Sequence, residues 1–74
     1  MSPALPVVSG RETARALERV GFEQVSQRGS HLKLRRSDGR TVIVPLHREL
    51  APGTLRSILR QADLDVDELV RLLD

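Results

Sequence analysis

A chain of 74 residues, 39% hydrophobic and 30% charged, holds one small domain and excludes two, because each of two cores would be too small for burial to offset chain entropy. With no cysteine, disulfide staples, thiolate nucleophiles and zinc knuckles are excluded together, and a reducing compartment suits the chain best. The net charge of +2 conceals a neutral first third, a middle segment over 28–60 with eight cations against two acids, and an acidic tail over 61–74.

In chain order, residues 1–8 form a leader with Pro3 and Pro6, an N-terminal extension in which regular strand pairing is disfavoured. The leader lacks the basic start and long apolar stretch of a secretory signal, and the chain has no run of eighteen apolar residues, so the expectation is a cytoplasmic protein without a membrane partner. Residues 9–74 are expected to form the single domain. Ser9 and Glu12 have the spacing of a capping box and start a helix. Ala14, Leu17 and Val20 fall on its apolar stripe with Ala16 beside them, and Gly21 ends it. After Phe22, residues 23–27 are a strand candidate, followed by Gly29 and Ser30 as a hairpin connection.

From His31 to Arg36 polar and apolar residues alternate. Leu32 and Leu34 therefore point to one face, and His31, Lys33 and Arg35 to the other. Asp38-Gly39 favours a tight reversal into the β-branched run Thr41-Val42-Ile43-Val44, and Pro45 ends that strand or places it at an edge. Pro52 suits the first turn of a second helix with Leu55, Ile58, Leu59 and Ala62 on one stripe. Asp65 to Glu68 caps a short last helix. The expected fold class is α+β, a three-stranded antiparallel sheet with helices on one face and a short C-terminal helix.

On the uncovered face the basic middle segment and His31 become one surface feature. A cationic block binds a polyanion through counterion release, although a solvated basic surface without function has the same composition. Phe22 is the sole aromatic residue, so no stacking platform for single-stranded bases is available and recognition leans on phosphates and shape. His31 and His47 are the two histidines, the side chains whose ordinary charge change falls near neutral pH. At a strand start His31 is a hydrogen-bonded edge residue or, with Gly29 and Ser30 before it and Lys33 and Arg35 on its face, an acid/base catalyst. A neutral imidazole there accepts the proton of a ribose 2′-hydroxyl as that oxygen attacks phosphorus. His47 is either a loop residue fixing the turn into the second helix or, by strand parity with Thr41 and Ile43, a second acid/base at the sheet's rim. Phosphate-cradling glycine loops and zinc-protease spacing are absent, and Asp63, Asp65 and Asp67 lack the glycine and distant glutamate of a calcium loop.

Several segments together resemble the HicA family of toxins. They are Ser9-Gly10-Arg11-Glu12, Gly21-Phe22, Gln27-Arg28-Gly29-Ser30-His31, Asp38-Gly39-Arg40, Val44-Pro45-Leu46-His47 and Gly53-Thr54-Leu55-Arg56-Ser57-Ile58-Leu59. The resemblance covers the chain from about residue 8 onward. It implies a double-stranded-RNA-binding-like α-β-β-β-α fold and an mRNA interferase of a type II toxin–antitoxin pair. It also implies a HicB-type antitoxin as protein partner and His31 as the catalytic histidine, with no cofactor. Arg28, Gly29, Ser30, Lys33 and Arg35 are the expected RNA-binding residues; His47 matches a family feature to which the resemblance assigns no role, so the loop residue and the second acid/base both stay open for it. The free toxin is expected to be monomeric and to form a hetero-oligomer with its antitoxin. From the residues alone, a non-catalytic double-stranded-RNA-binding module and a protein-docking module using the tail over 65–74 remain alternatives.

Overall fold

The computed structural model describes residues 4–73; residues 1–3, with Pro3 of the leader, and residue 74 lie outside them. The elements run α1 (Gly10–Glu18), β1 (Glu23–Arg28), β2 (His31–Arg35), β3 (Thr41–Pro45), α2 (Pro52–Ala62) and α3 (Val66–Leu72). This is the α-β-β-β-α order expected, with a short last helix added.

Helix α1 begins where the Ser9 amide donates to Glu12 Oε1 at 2.9 Å and the Glu12 amide donates to Ser9 Oγ at 3.0 Å. Two otherwise unpaired amides are thereby satisfied. The helix stops at Glu18, and Arg19 to Gly21 tighten into a turn whose last residue has φ +95. That turn delivers Phe22 into the core at 2% exposure, a burial that contributes about 2–3 kcal/mol. Helix α1 buries Ala14, Ala16 and Leu17 together with Thr13, whose hydroxyl donates to the Ser9 carbonyl at 2.9 Å. Helix α2 opens on Pro52, which needs no amide partner in the first turn, and buries Leu55, Ile58, Leu59 and Ala62. Helix α3 has its own capping box between Asp65 and Glu68 and buries Leu69. The Arg19 side chain donates to the carbonyl of Leu72, tying α3 to the end of α1.

The sheet order is β1-β2-β3, antiparallel throughout. Leu32, Leu34, Val42 and Val44 are buried on one face, while Lys33 is half-buried and Ile43 exposed on the other. The two sheet edges are treated differently. On β3 the Ile43 amide donates to Gln61 Oε1 of α2 at 3.2 Å, so a side chain occupies the edge that another strand would use. Strand β1 is exposed along its whole length and carries a bulge between Gln24 and Ser26. In the leader, Val8 is buried and accepts the Leu50 amide at 2.8 Å, and Leu5 packs on the core. No helix among the described residues is long and apolar enough to cross a membrane.

The start of α1 rests directly on the end of β3. A Cβ placed on Gly10 would lie 2.0 Å from the Pro45 carbonyl oxygen and 2.8 Å from Leu46 Cα. Both atoms belong to backbone and cannot rotate away. Gly10→Ala should therefore destabilise the fold by about 3 kcal/mol, the upper part of the overpacking range, measured as a lower urea midpoint at unchanged slope.

The Glu12 carboxyl is held below its usual range by the Ser9 amide and then the Ser9 hydroxyl. Its folded value thus lies below its unfolded one, so the cap's contribution is complete above the ordinary carboxylate value and fades as pH falls through the lowered one. The difference in thermal midpoint between the native chain and Glu12→Ala should accordingly be larger at pH 7 than at pH 3.

Candidate active site

Strand β2 places His31, Lys33 and Arg35 at alternate positions, about 6.6 Å apart along the strand. Cross-strand pairing completes the face. Arg28 stands opposite His31, Ser26 opposite Lys33 and Glu23 opposite Arg35 on the β1 side, and Pro45, Ile43 and Thr41 stand opposite the same three residues on β3. His31, Arg28 and Arg35 are exposed and Lys33 is half-buried, so a polymer lying on the sheet reaches the imidazole without any rearrangement.

Positive charge is not uniform along this row. Arg35 donates through Nε to Thr41 Oγ1 at 3.3 Å and stands across from Glu23. At the other end Arg28, His31 and Lys33 have no acid among their direct cross-strand partners. The end of the sheet that carries His31 is therefore the more favourable place for a phosphate.

The Gly29-Ser30 turn sets where His31 begins. Gly29 has φ +57, and a Cβ there would meet nothing within 4 Å. The glycine therefore serves the turn's left-handed backbone and does not make room for a neighbouring chain segment. Gln27 Nε2 donates to the Gly29 carbonyl at 2.9 Å, and the Leu46 amide donates to the Ser30 carbonyl at 2.6 Å. The tip is thus held from within its own hairpin and from the segment that follows β3.

His47 is exposed, and its carbonyl accepts the Gly10 amide at 2.9 Å. Because β3 ends at Pro45, strand parity does not extend to His47. It reaches the His31 end of the sheet by a different route, as a loop residue pinned between the start of α1 and the hairpin tip.

The basic segment does not form one surface. Arg36 lies over the Phe22 ring at 4.8 Å and pairs with Asp38 at 2.9 Å. Its hydrogen bond to Asp38 raises the Arg36 pKa; on Asp38, the same bond and then the Arg40 amide hold the carboxyl below its usual range. Arg40 also donates to the Gln61 carbonyl at 3.2 Å. These two arginines fasten the β2–β3 turn at the end away from His31. Arg56 and Arg60 lie on α2 beside Leu64 and Asp65. Arg28, Lys33 and Arg35 are the members of the segment that share the open face with His31. Among the described residues, no group of three or more His, Asp or Glu side chains gathers as a metal site would require.

A family model described as the HicA toxin of bacterial toxin-antitoxin systems matches residues 10–64. The match runs from the first residue of α1 past the end of α2 and contains both histidines and the whole sheet. No curated protein matches the chain.

Proposed function

Because the chain belongs to the HicA toxin family of bacterial toxin–antitoxin systems, we propose that it is an mRNA interferase, an RNA endonuclease that uses histidine acid/base chemistry without metal. The observation that carries this reading is an exposed imidazole at the most cationic end of an open sheet face, with Arg28 directly across from it and Lys33 beside it. Lys33, Arg35 and Arg28 position the scissile phosphate, and the turn at Gly29 and Ser30 keeps the approach to His31 low. The toxin acts in the cytoplasm. A HicB-type antitoxin restrains it by covering this face in a hetero-oligomer, and the free toxin is a monomer.

In the proposed reaction the His31 imidazole takes the proton of the ribose 2′-hydroxyl. The 2′ oxygen attacks the adjacent phosphorus, a bond from that oxygen to phosphorus forms, and the bond to the 5′ oxygen breaks. The products are a 2′,3′-cyclic phosphate and a 5′-hydroxyl, once the departing 5′ oxygen has gained a proton. His47 is the second imidazole at this end of the sheet and the group available to supply it. Charge growing on the phosphoryl oxygens is stabilised by Lys33 and Arg28, whose cationic ends replace solvent at that position. DNA offers no 2′-hydroxyl, so RNA is the substrate that fits.

The test uses purified protein and RNA in the presence of chelator. His31→Ala should lower the cleavage rate by about 10²–10⁴-fold, the range for loss of a general acid/base, while binding the same RNA with unchanged affinity. An RNA carrying a single 2′-deoxy residue at the cut position should resist the native chain. Equal cutting by the native chain and His31→Ala would remove His31 from the mechanism, and salt-sensitive binding with no scission would make the protein a binding module.

A further inference from the structure

On the other side of β1 the structure has a polar cleft of about 190 Å³ between that strand and α1. Arg11 and Arg15 line it from the helix, Gln24 and Gln27 from the strand, and Leu32 and Leu46 form apolar wall. The two arginines are four residues apart and so sit on one helix face, with Cβ atoms about 5–6 Å apart. The two glutamines are three apart, a spacing that in a regular strand would send them to opposite faces. The bulge at Val25 prevents this: Gln24 pairs with Leu34 and Gln27 with Leu32, so both are opposite residues of the buried face.

Polar side chains at both helix-facing positions of a strand contribute nothing to an apolar core. Here they line the open cleft, and the Gln24 side chain has no hydrogen-bond partner among the described residues. Arg11 and Arg15 are exposed, and neither makes an ion pair there. The cleft also adjoins the candidate site. Leu46 in its wall is bonded to Ser30 at the hairpin tip, and the Gln27–Leu32 pair is next in register to Arg28–His31.

We propose that the cleft between α1 and β1 is a nucleotide subsite for the RNA strand, in which Arg11 and Arg15 hold a phosphate and Gln24 reads the edge of the neighbouring base. This rests on the nuclease reading above and adds to it the residues that choose the cut site. A carboxamide offers a donor and an acceptor together and so pairs with one base edge better than with others. Half-buried Leu46 offers the apolar wall against which a planar base lies. Glu18, one turn beyond Arg15, also lines the cleft and disfavours a second phosphate at that end. Gln27 has already given its amide nitrogen to the Gly29 carbonyl, which leaves Gln24 as the adjustable reader. A strand with its scissile linkage at His31 enters this subsite by passing around the open edge of β1.

The experiment uses the full chain in two formats. Cut sites in a random RNA pool are mapped by sequencing for the native chain, Gln24→Ala and Gln24→Glu. Binding of a short single-stranded RNA is measured across salt concentrations in the His31→Ala background, with and without Arg11→Ala plus Arg15→Ala. Both Gln24 variants should shift base preference at one position beside the cut by on the order of tenfold. Loss of the arginine pair should weaken binding to all sequences and reduce the salt slope by about 0.7, one neutralised phosphate on a single strand. Unchanged cut sites in both Gln24 variants together with an unchanged salt slope would overturn the proposal. So would relief of antitoxin inhibition with both RNA readouts unchanged, which would assign the cleft to the protein partner. If the native chain cuts no RNA, the nuclease reading fails by itself, and the binding format then decides the cleft: an unchanged slope rejects it and a reduced one supports it.

Discussion

The end of the sheet that carries both histidines depends on one close approach, that of Gly10 to the backbone of Pro45. Only a residue without a side chain lets the first turn of α1 come this near β3. From that position the Gly10 amide reaches the His47 carbonyl, and the next residue back along the loop, Leu46, reaches Ser30. Three segments distant in sequence are thereby joined by two backbone hydrogen bonds: the helix start, the loop after β3 and the tip of the first hairpin. His31 leaves the tip and His47 sits in the loop. Their common location is thus a property of backbone geometry, independent of any attraction between the two imidazoles.

The same economy governs the faces and edges of the sheet. Two helices are enough to cover one face of three strands, and this small core leaves the second face to water. Helix α2 and the Gln61 side chain close the β3 edge, whereas nothing among the described residues runs along the outer edge of β1. The molecule is accordingly closed on the side of α2 and open around β1. Both the row led by His31 and the cleft beneath Gln24 border that open side.

Much of this was legible in the sequence because its signals are local. Ser9 with Glu12, and Asp65 with Glu68, are capping boxes whose partners lie three residues apart. The alternation from His31 to Arg35 needs only the period of a strand, and the positive φ at Gly21, Gly29 and Gly39 falls at the glycines that punctuate the elements. What was not legible depends on contacts between distant segments. Strand parity fails for His47 because Pro45 ends the ladder. The bulge at Val25 reverses the facing of Gln24 relative to Gln27 and has no marker in residue type. The run of cations over 28–60 reads as one feature until Asp38, Phe22 and Gln61 are seen to engage Arg36 and Arg40. Val8 joins the core through Leu50, a partner that leader composition does not disclose.

The open geometry also bears on how such a site would be controlled. His31 is exposed on an open sheet face, and on the proposed reading its substrate is gripped through phosphates spread along a surface. A partner that blocks it must therefore cover area, and acidic groups placed against Arg28 and Lys33 would oppose the same cations that hold the RNA. Exposed Ile43 stands directly across from Lys33 and offers apolar contact that a phosphodiester backbone cannot use. On the proposed reading, one face would present charge to both occupants and apolar surface to only one of them, a difference that would let a protein outcompete RNA for the same ground without any change in the fold.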